Sequence, residues 1–199
     1  MSRRLVLASA SPVRQRVLLE AGFAPEVVVS GAEEDDVTGL TPDVARTLAE
    51  RKARAVAERL DGEPAIVLGC DTVLDVDGET RGKAPSLDVA RDWWASVAGR
   101  SAVLHSGLCV LDTSNRRCAT GVASTVVHYG CPTDREMDAY LATGEPLRVA
   151  GGFTIDGFAA PFVDRIEGDH AAVLGLSLPL LRTLLSEIDV EITDLWVRP

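Results

Sequence analysis

The sequence predicts an α/β domain built on a mixed β-sheet flanked by helices, and three observations lead there. Short apolar runs at residues 4–8 and 65–69 stand beside helix signals, the alternation expected of strands and helices packed in layers. Two long segments, 101–112 and 117–129, alternate over much of their length and are joined by the polar turn TSNR, as in an antiparallel pair. Asp77-Gly78 between extended segments is a strong two-residue hairpin signal. No repeat, low-complexity stretch or linker interrupts the chain, so residues 1–199 read as a single domain. With 46% hydrophobic and 5% aromatic residues it can bury one substantial core, with room for two lobes.

Taken in order, residues 4–8 form a short buried strand. Ser11 then caps a helix with Pro12 at its first position, running to about Gly22. Residues 26–30 make a second strand, followed by the acidic loop GAEEDD. Thr41-Pro42 opens a longer helix that Asp61-Gly62 stops, with Asp43 where the macrodipole favours an anion. At roughly 100° per residue, Val44, Leu48, Val56 and Leu60 share one face, and Lys52 sits among them. Residues 65–69 form an apolar strand closed by Cys70-Asp71-Thr72, and 73–76 stay extended. Ser86 caps LDVARDWWASVA, whose Trp93 and Trp94 read as core and interface material. Thr133 and Glu136 make a capping box for a helix ended by Gly144. After the loop VAGGF, the segments FTID and APFVDRI are strand-like, a last helix spans about 178–187, and a closing strand lies near 190–195.

Thirty acidic residues against twenty basic give a formal charge of -10, which disfavours a broad nucleic-acid or anionic-membrane surface. Any phosphate must be held by a few focused cations or a metal. Cys70, Cys109, Cys118 and Cys131 contain no C-x-x-C pair, and His105, His128 and His170 form no zinc pattern. The opening arginines and Ala8-Ser9-Ala10 imitate a secretion signal, but the apolar run falls short of the about 7–15 residues an export signal needs. Reduced thiols and the lack of a long apolar segment point to a cytoplasmic chain.

Three constellations can carry chemistry. In Ser9-Ala10-Ser11-Pro12-Val13-Arg14, two hydroxyls, a helix N-terminus and a guanidinium fork suit a polyphosphate; a serine cap beside exposed arginines is the plainer reading, and the motif alone admits both. In VLGCDT, Asp71 closes a buried strand, where a carboxylate can bind Mg²⁺ or take a proton from water, or merely cap a turn. Lys52, Lys83 and Glu34 supply the charges that phosphate transfer needs, although each alone reads as a solvated or snorkelling side chain. LDVDGET resembles the nucleophile element of haloacid-dehalogenase-type phosphatases, with Asp75 attacking phosphorus. Glu79, however, separates Gly78 from Thr80, and the hairpin explains Asp77-Gly78.

The ordered set LVLASASPVR, Glu34, LAERKA, VLGCDTV, GKAP, TGEPLRVAGGF and GLSLPLLRTLL resembles the Maf family of nucleoside triphosphate pyrophosphatases, from Leu5 to about Leu185. The resemblance implies a Maf/ITPase-like fold: an elongated α/β domain with its active-site cleft between two lobes. It also implies hydrolysis of a nucleoside triphosphate to monophosphate and pyrophosphate with a divalent cation, Mg²⁺ or Mn²⁺, a link to inhibition of septum formation, and a homodimer. Carried over by position, Asp71 is the proton acceptor and, with Glu34, the metal ligand; Lys52 and Lys83 complete the catalytic set. Ser9, Ser11 and Arg14 bind substrate, and Val13, Thr72 and Asp156 stand where members discriminate bases.

Members preferring dTTP and UTP carry arginine and glutamine where this chain has Val13 and Asp156. Thr72 matches that group, whereas Gly82 matches members preferring 7-methyl-GTP, so the resemblance implies no single base. The chain also departs at Ala84, between Lys83 and Pro85, at GLSLP in place of GLP, and at Ala172 where asparagine is frequent. The alternatives from other classes are an Asp75 phosphomonoesterase and a non-catalytic nucleotide-binding regulator of septum formation.

Overall fold

A computed structural model describes residues 3–34 and 36–197. Strands β1 (Leu5–Leu7), β2 (Glu26–Val27), β3 (Ile66–Val76), β4 (Glu79–Arg81), β5 (Ser101–Asp112), β6 (Cys118–Tyr129) and β7 (Val163–Glu167) form one seven-stranded mixed sheet. Its order is β2-β1-β3-β5-β6-β7, with β4 paired to β3 on the edge that β1 also uses. β1 runs parallel to β2 and β3, and the remaining pairs are antiparallel. The helices are α1 (Pro12–Glu20), α2 (Thr41–Arg59), α3 (Leu87–Val97), α4 (Asp134–Ala142), α5 (His170–Val173) and α6 (Leu178–Glu187).

The local signals act as expected at most element ends. Ser11, Ser86 and Ser177 each accept a backbone N–H at a helix start, and the Thr133–Glu136 box is closed from both sides. Asp77 and Gly78 both take positive φ, 54° and 86°, as a type I′ hairpin requires. Where tertiary partners decide, the reading changes. The strand expected at 26–30 shortens to Glu26–Val27, and FTID is irregular. The closing strand expected at 190–195 is instead a 3₁₀ turn, Ile192–Leu195, because its backbone finds no ladder beyond a single bridge from Trp196 to Phe23. The short helix α5 had no periodic signal long enough to announce it.

The long strands β3, β5 and β6 pass through two lobes. At one end, α1 and α6 pack Leu18, Leu181 and Leu185 against Leu7, Leu68 and Leu108, while α2 covers the other face through Ala49, Ala53 and Val56. At the far end Trp94, Tyr140 and Met137 of α3 and α4 close over Leu74, Leu104 and Val127. Trp94 is core and Trp93 lies under the Arg81 guanidinium, 5.4 Å from its ring centre. Between the lobes the sheet turns polar: Thr72 bonds Ser106 at 3.2 Å, and His105 bonds Ser124 at 2.9 Å.

α2 presses on this waist at glycines. A Cβ on Gly69 would lie 2.0 Å from the Ala49 carbonyl oxygen, and one on Gly107 would lie 2.1 Å from that of Ala45. Backbone cannot yield as a side chain does, so Gly69→Ala is expected to lower unfolding free energy by about 1–3 kcal/mol in urea titrations. The same close approach sets the Lys52 side chain, one turn beyond Ala49, within reach of β3.

Candidate active site

β3 has an unpaired stretch on one edge. β1 pairs with residues 66–68 and β4 with residues 74–76, leaving 69–73 without a strand partner between them. Asp71 lies at the centre of this opening. It does not close a strand, as its sequence context suggests; it sits mid-way along an 11-residue strand, paired with Gly107 on the far side. The edge neighbours come from distant segments, which is why local pattern reads a strand end there.

On the α2 face, Lys52 Nζ donates to Asp71 Oδ1 at 2.5 Å and meets Glu34 Oε1 at 2.8 Å. Lys52 and Asp71 are only 8% and 6% exposed, whereas the Glu34 carboxylate is half in solvent. Burial raises the Asp71 carboxyl above the ordinary aspartate value, and Lys52 opposes but does not overcome it. Lys52 is therefore an inward ligand of two carboxylates rather than a snorkelling lysine. Arg51, the next residue on α2, bonds the Glu33 carbonyl at 2.9 Å and pairs with Asp36. That fastens the acidic loop to the helix and delivers Glu34 to the site.

On the opposite face, Arg14 is a brace. Its Nε donates to the Gly175 carbonyl at 2.9 Å, Nη1 to Ser9 Oγ and the Cys70 carbonyl at 3.0 Å each, and Nη2 to Thr72 Oγ1 at 3.0 Å. These bonds use all but one of its N–H donors. Gly175, at φ +98°, comes so close that a Cβ would meet Arg14 Nε at 2.9 Å. Ser9 Oγ also accepts from Ser11 N at 3.2 Å, which leaves its own proton to donate. Ser11 caps α1 through Arg14 N.

The other expected residues stand apart. Lys83 is exposed and follows β4, bridged by backbone to Ala150; continuing the β4 register would carry it toward Thr72. Val13 is half-buried in the first turn of α1. Asp156 pairs with Arg16 of that helix. Asp75 Oδ1 accepts from Gly78 N at 2.8 Å, which ties one carboxylate oxygen to the hairpin. Two surface cavities, of about 390 and 370 Å³, lie elsewhere, around Gly99–His128–Asp164 and along Glu50–Arg54.

A family model described as "Maf-like protein" matches residues 4–188. The chain belongs to the Maf family. A Streptomyces coelicolor relative named "Nucleoside triphosphate pyrophosphatase" is 53% identical over 98% of this chain and 95% of its own length. One of the same name from Nocardia farcinica is 49% identical over 100% of this chain and 99% of its length. The solved "Nucleoside-triphosphatase / dITP/XTP pyrophosphatase" of Mycobacterium abscessus is 17% identical, covering 79% of this chain and 93% of that one with a TM-score of 0.43, too slight a likeness to carry an argument.

Against the Maf pattern, the fold brings Asp71, Glu34 and Lys52 into contact on one face, and Ser9, Ser11, Arg14 and Thr72 on the other. It leaves Lys83, Val13 and Asp156 around the rim. Sequence reasoning missed Arg51, Arg16, Ser106 and Gly175. Each acts through a partner remote in the chain, and only the glycine of GLSLP carries a local signal.

Proposed function

We propose that this Maf-family chain is a nucleoside triphosphate pyrophosphatase, cleaving between the α and β phosphates, with Asp71 as proton acceptor. The observation that carries the reading is the meeting of Asp71, Lys52 and Glu34 at the one gap in the β3 edge. The names of its close relatives give the same activity.

Water attacks the α-phosphorus, its proton passes to Asp71, and the bond to the bridging oxygen breaks to release pyrophosphate. Lys52 holds Asp71 through Oδ1, while no donor among the described residues occupies Oδ2. A carboxyl whose affinity for protons is raised by burial is the stronger base for this step. Lys83, the remaining Arg14 N–H and the N-terminus of α1, reached through Ser9 and Ser11, receive the charge of the leaving group.

Among the described residues no cluster of three or more His, Cys, Asp or Glu side chains forms a metal cage. Asp71 and Glu34 each give one oxygen to Lys52 Nζ and keep the other without a donor among the described residues, which fits instead the one or two carboxylates that Mg²⁺ takes alongside phosphate oxygens and water. Bound there, Mg²⁺ or Mn²⁺ would neutralise phosphate charge. No helix among the described residues is long and apolar enough to cross a membrane.

The test is incubation with dTTP, UTP, CTP, GTP and 7-methyl-GTP and either metal, with identification of the anion released. Pyrophosphate with monophosphate supports the reading. Orthophosphate alone transfers it to a phosphomonoesterase, and no turnover to a silent nucleotide-binding protein.

A further inference from the structure

Residues 150–159 run from one lip of the β3 opening to the other. At the β4 lip, Ala150 bridges Lys83 and Gly151 N donates to the Gly82 carbonyl at 2.8 Å. Gly151 lies against Leu74, where a Cβ would come within 2.8 Å of that side chain. The Gly152 carbonyl is fixed by Trp94 Nε1 at 2.8 Å and Tyr140 Oη at 3.0 Å. At the α1 lip, Asp156 pairs with Arg16, two residues beyond Arg14.

The half of this strap that reaches α1 has no strand or α-helix to hold it. Glu145 does so instead. Its Oε1 accepts Thr154 Oγ1–H at 2.8 Å and Ala159 N–H at 3.3 Å, and its Oε2 accepts Phe158 N–H at 3.0 Å. Gly157 turns over the same carboxylate, where a Cβ would lie 2.5 Å from Oε2. Glu145 is itself anchored by its N–H on Thr143 Oγ1 at 3.1 Å, immediately after the Gly144 stop at φ +67°.

We propose that Glu145 is a positioning residue for substrate: by gathering the donors of 154–159 it holds the strap across the opening, and the Asp156–Arg16 pair seats that strap on α1. Asp71 is held by Lys52, and among the described residues no hydrogen bond or ion pair joins 150–159 to Asp71, Lys52 or Glu34, so the effect of the strap falls on binding of the triphosphate and not on the chemical step. The inference rests on the Asp71 reading of the site.

The test uses whichever of dTTP, UTP, CTP, GTP and 7-methyl-GTP is cleaved fastest. Glu145→Gln puts an amide donor against donors already present, and is expected to raise KM about tenfold with kcat within about twofold, the size of losing a hydrogen bond to a charged group. Thr154→Val, which removes one donor and disturbs the chain less, raises KM about threefold, and Thr154→Ser restores it. Adding Arg16→Gln to Glu145→Gln raises KM no further, since the strap is already unseated. Unchanged KM with a lowered Tm, a loss confined to kcat, or additive effects of Arg16 and Glu145 would each overturn the proposal. Should Glu145→Gln fail to fold, the Thr154 pair decides. Turnover in Asp71→Asn within tenfold of the parent overturns instead the reading of the site, whatever the strap does.

Discussion

Asp71→Asn is expected to reduce pyrophosphate release by about 10³-fold or more, the upper part of the range for losing a positioned general base. The amide keeps the shape of the carboxylate, and Lys52 keeps Glu34 as partner, so the variant folds. Its stability also changes in its dependence on pH. Because burial raises the Asp71 pKa in the folded state, the folded chain binds that proton more tightly than the unfolded chain does. Stability contributed by the protonated form is thus present below the unfolded value and lost as pH rises through the raised folded value. Asparagine has no such proton, and urea titrations between these values should show a flatter profile than the parent. Turnover within tenfold of the parent would move the proton acceptor elsewhere.

Lys52→Met carries the second large effect. It leaves the buried Asp71 carboxylate without its cation while Glu34 still approaches the same point. Removing one partner of a buried pair costs about 3–5 kcal/mol, because the remaining charge is left uncompensated. Activity falls with it, since Lys52 both orients Asp71 and adds positive charge to the site. The deficit has a direction in pH. Without Lys52 the contribution that lowered the Asp71 pKa is gone, so the carboxyl protonates more readily and the loss shrinks as pH falls. Denaturant unfolding at pH 8 and pH 5 reads this, and a deficit equal at both values would rule it out. Lys52→Met combined with Asp71→Asn should regain most of the lost stability, because no uncompensated buried charge remains.

Much of the scaffold was legible because its cues are local. Ser11-Pro12 starts α1 by supplying the missing acceptor and a preset φ, and Asp77-Gly78 turns the β3–β4 hairpin through positive φ. The apolar stripe of α2 placed Lys52 on the inward face, where it is found. The strand expected at 190–195 failed because extended character does not provide a partner strand. Arg14 was legible as a cation near hydroxyls, yet its bonds run to Cys70, Thr72 and Gly175, far away in sequence. The carboxylate of Glu145, three residues after a helix ends, gave no sign that it would gather 154–159.

The amino-acid order by itself determined the caps, the hairpin and the inward lysine, because each depends on neighbours within a few residues, and the ordered motif set that places the chain in the Maf family. Only the tertiary structure decided that Asp71 lies within a continuous strand at a gap between β1 and β4. It also decided that Lys52 joins Asp71 to Glu34, that Arg14 braces β3 to the Gly175 turn, and that a strap held by Glu145 crosses the opening. The physical reason is common to all of these. Edge pairing and charge pairing join side chains brought together by packing, and no period or spacing along the chain encodes which distant group will satisfy a given donor.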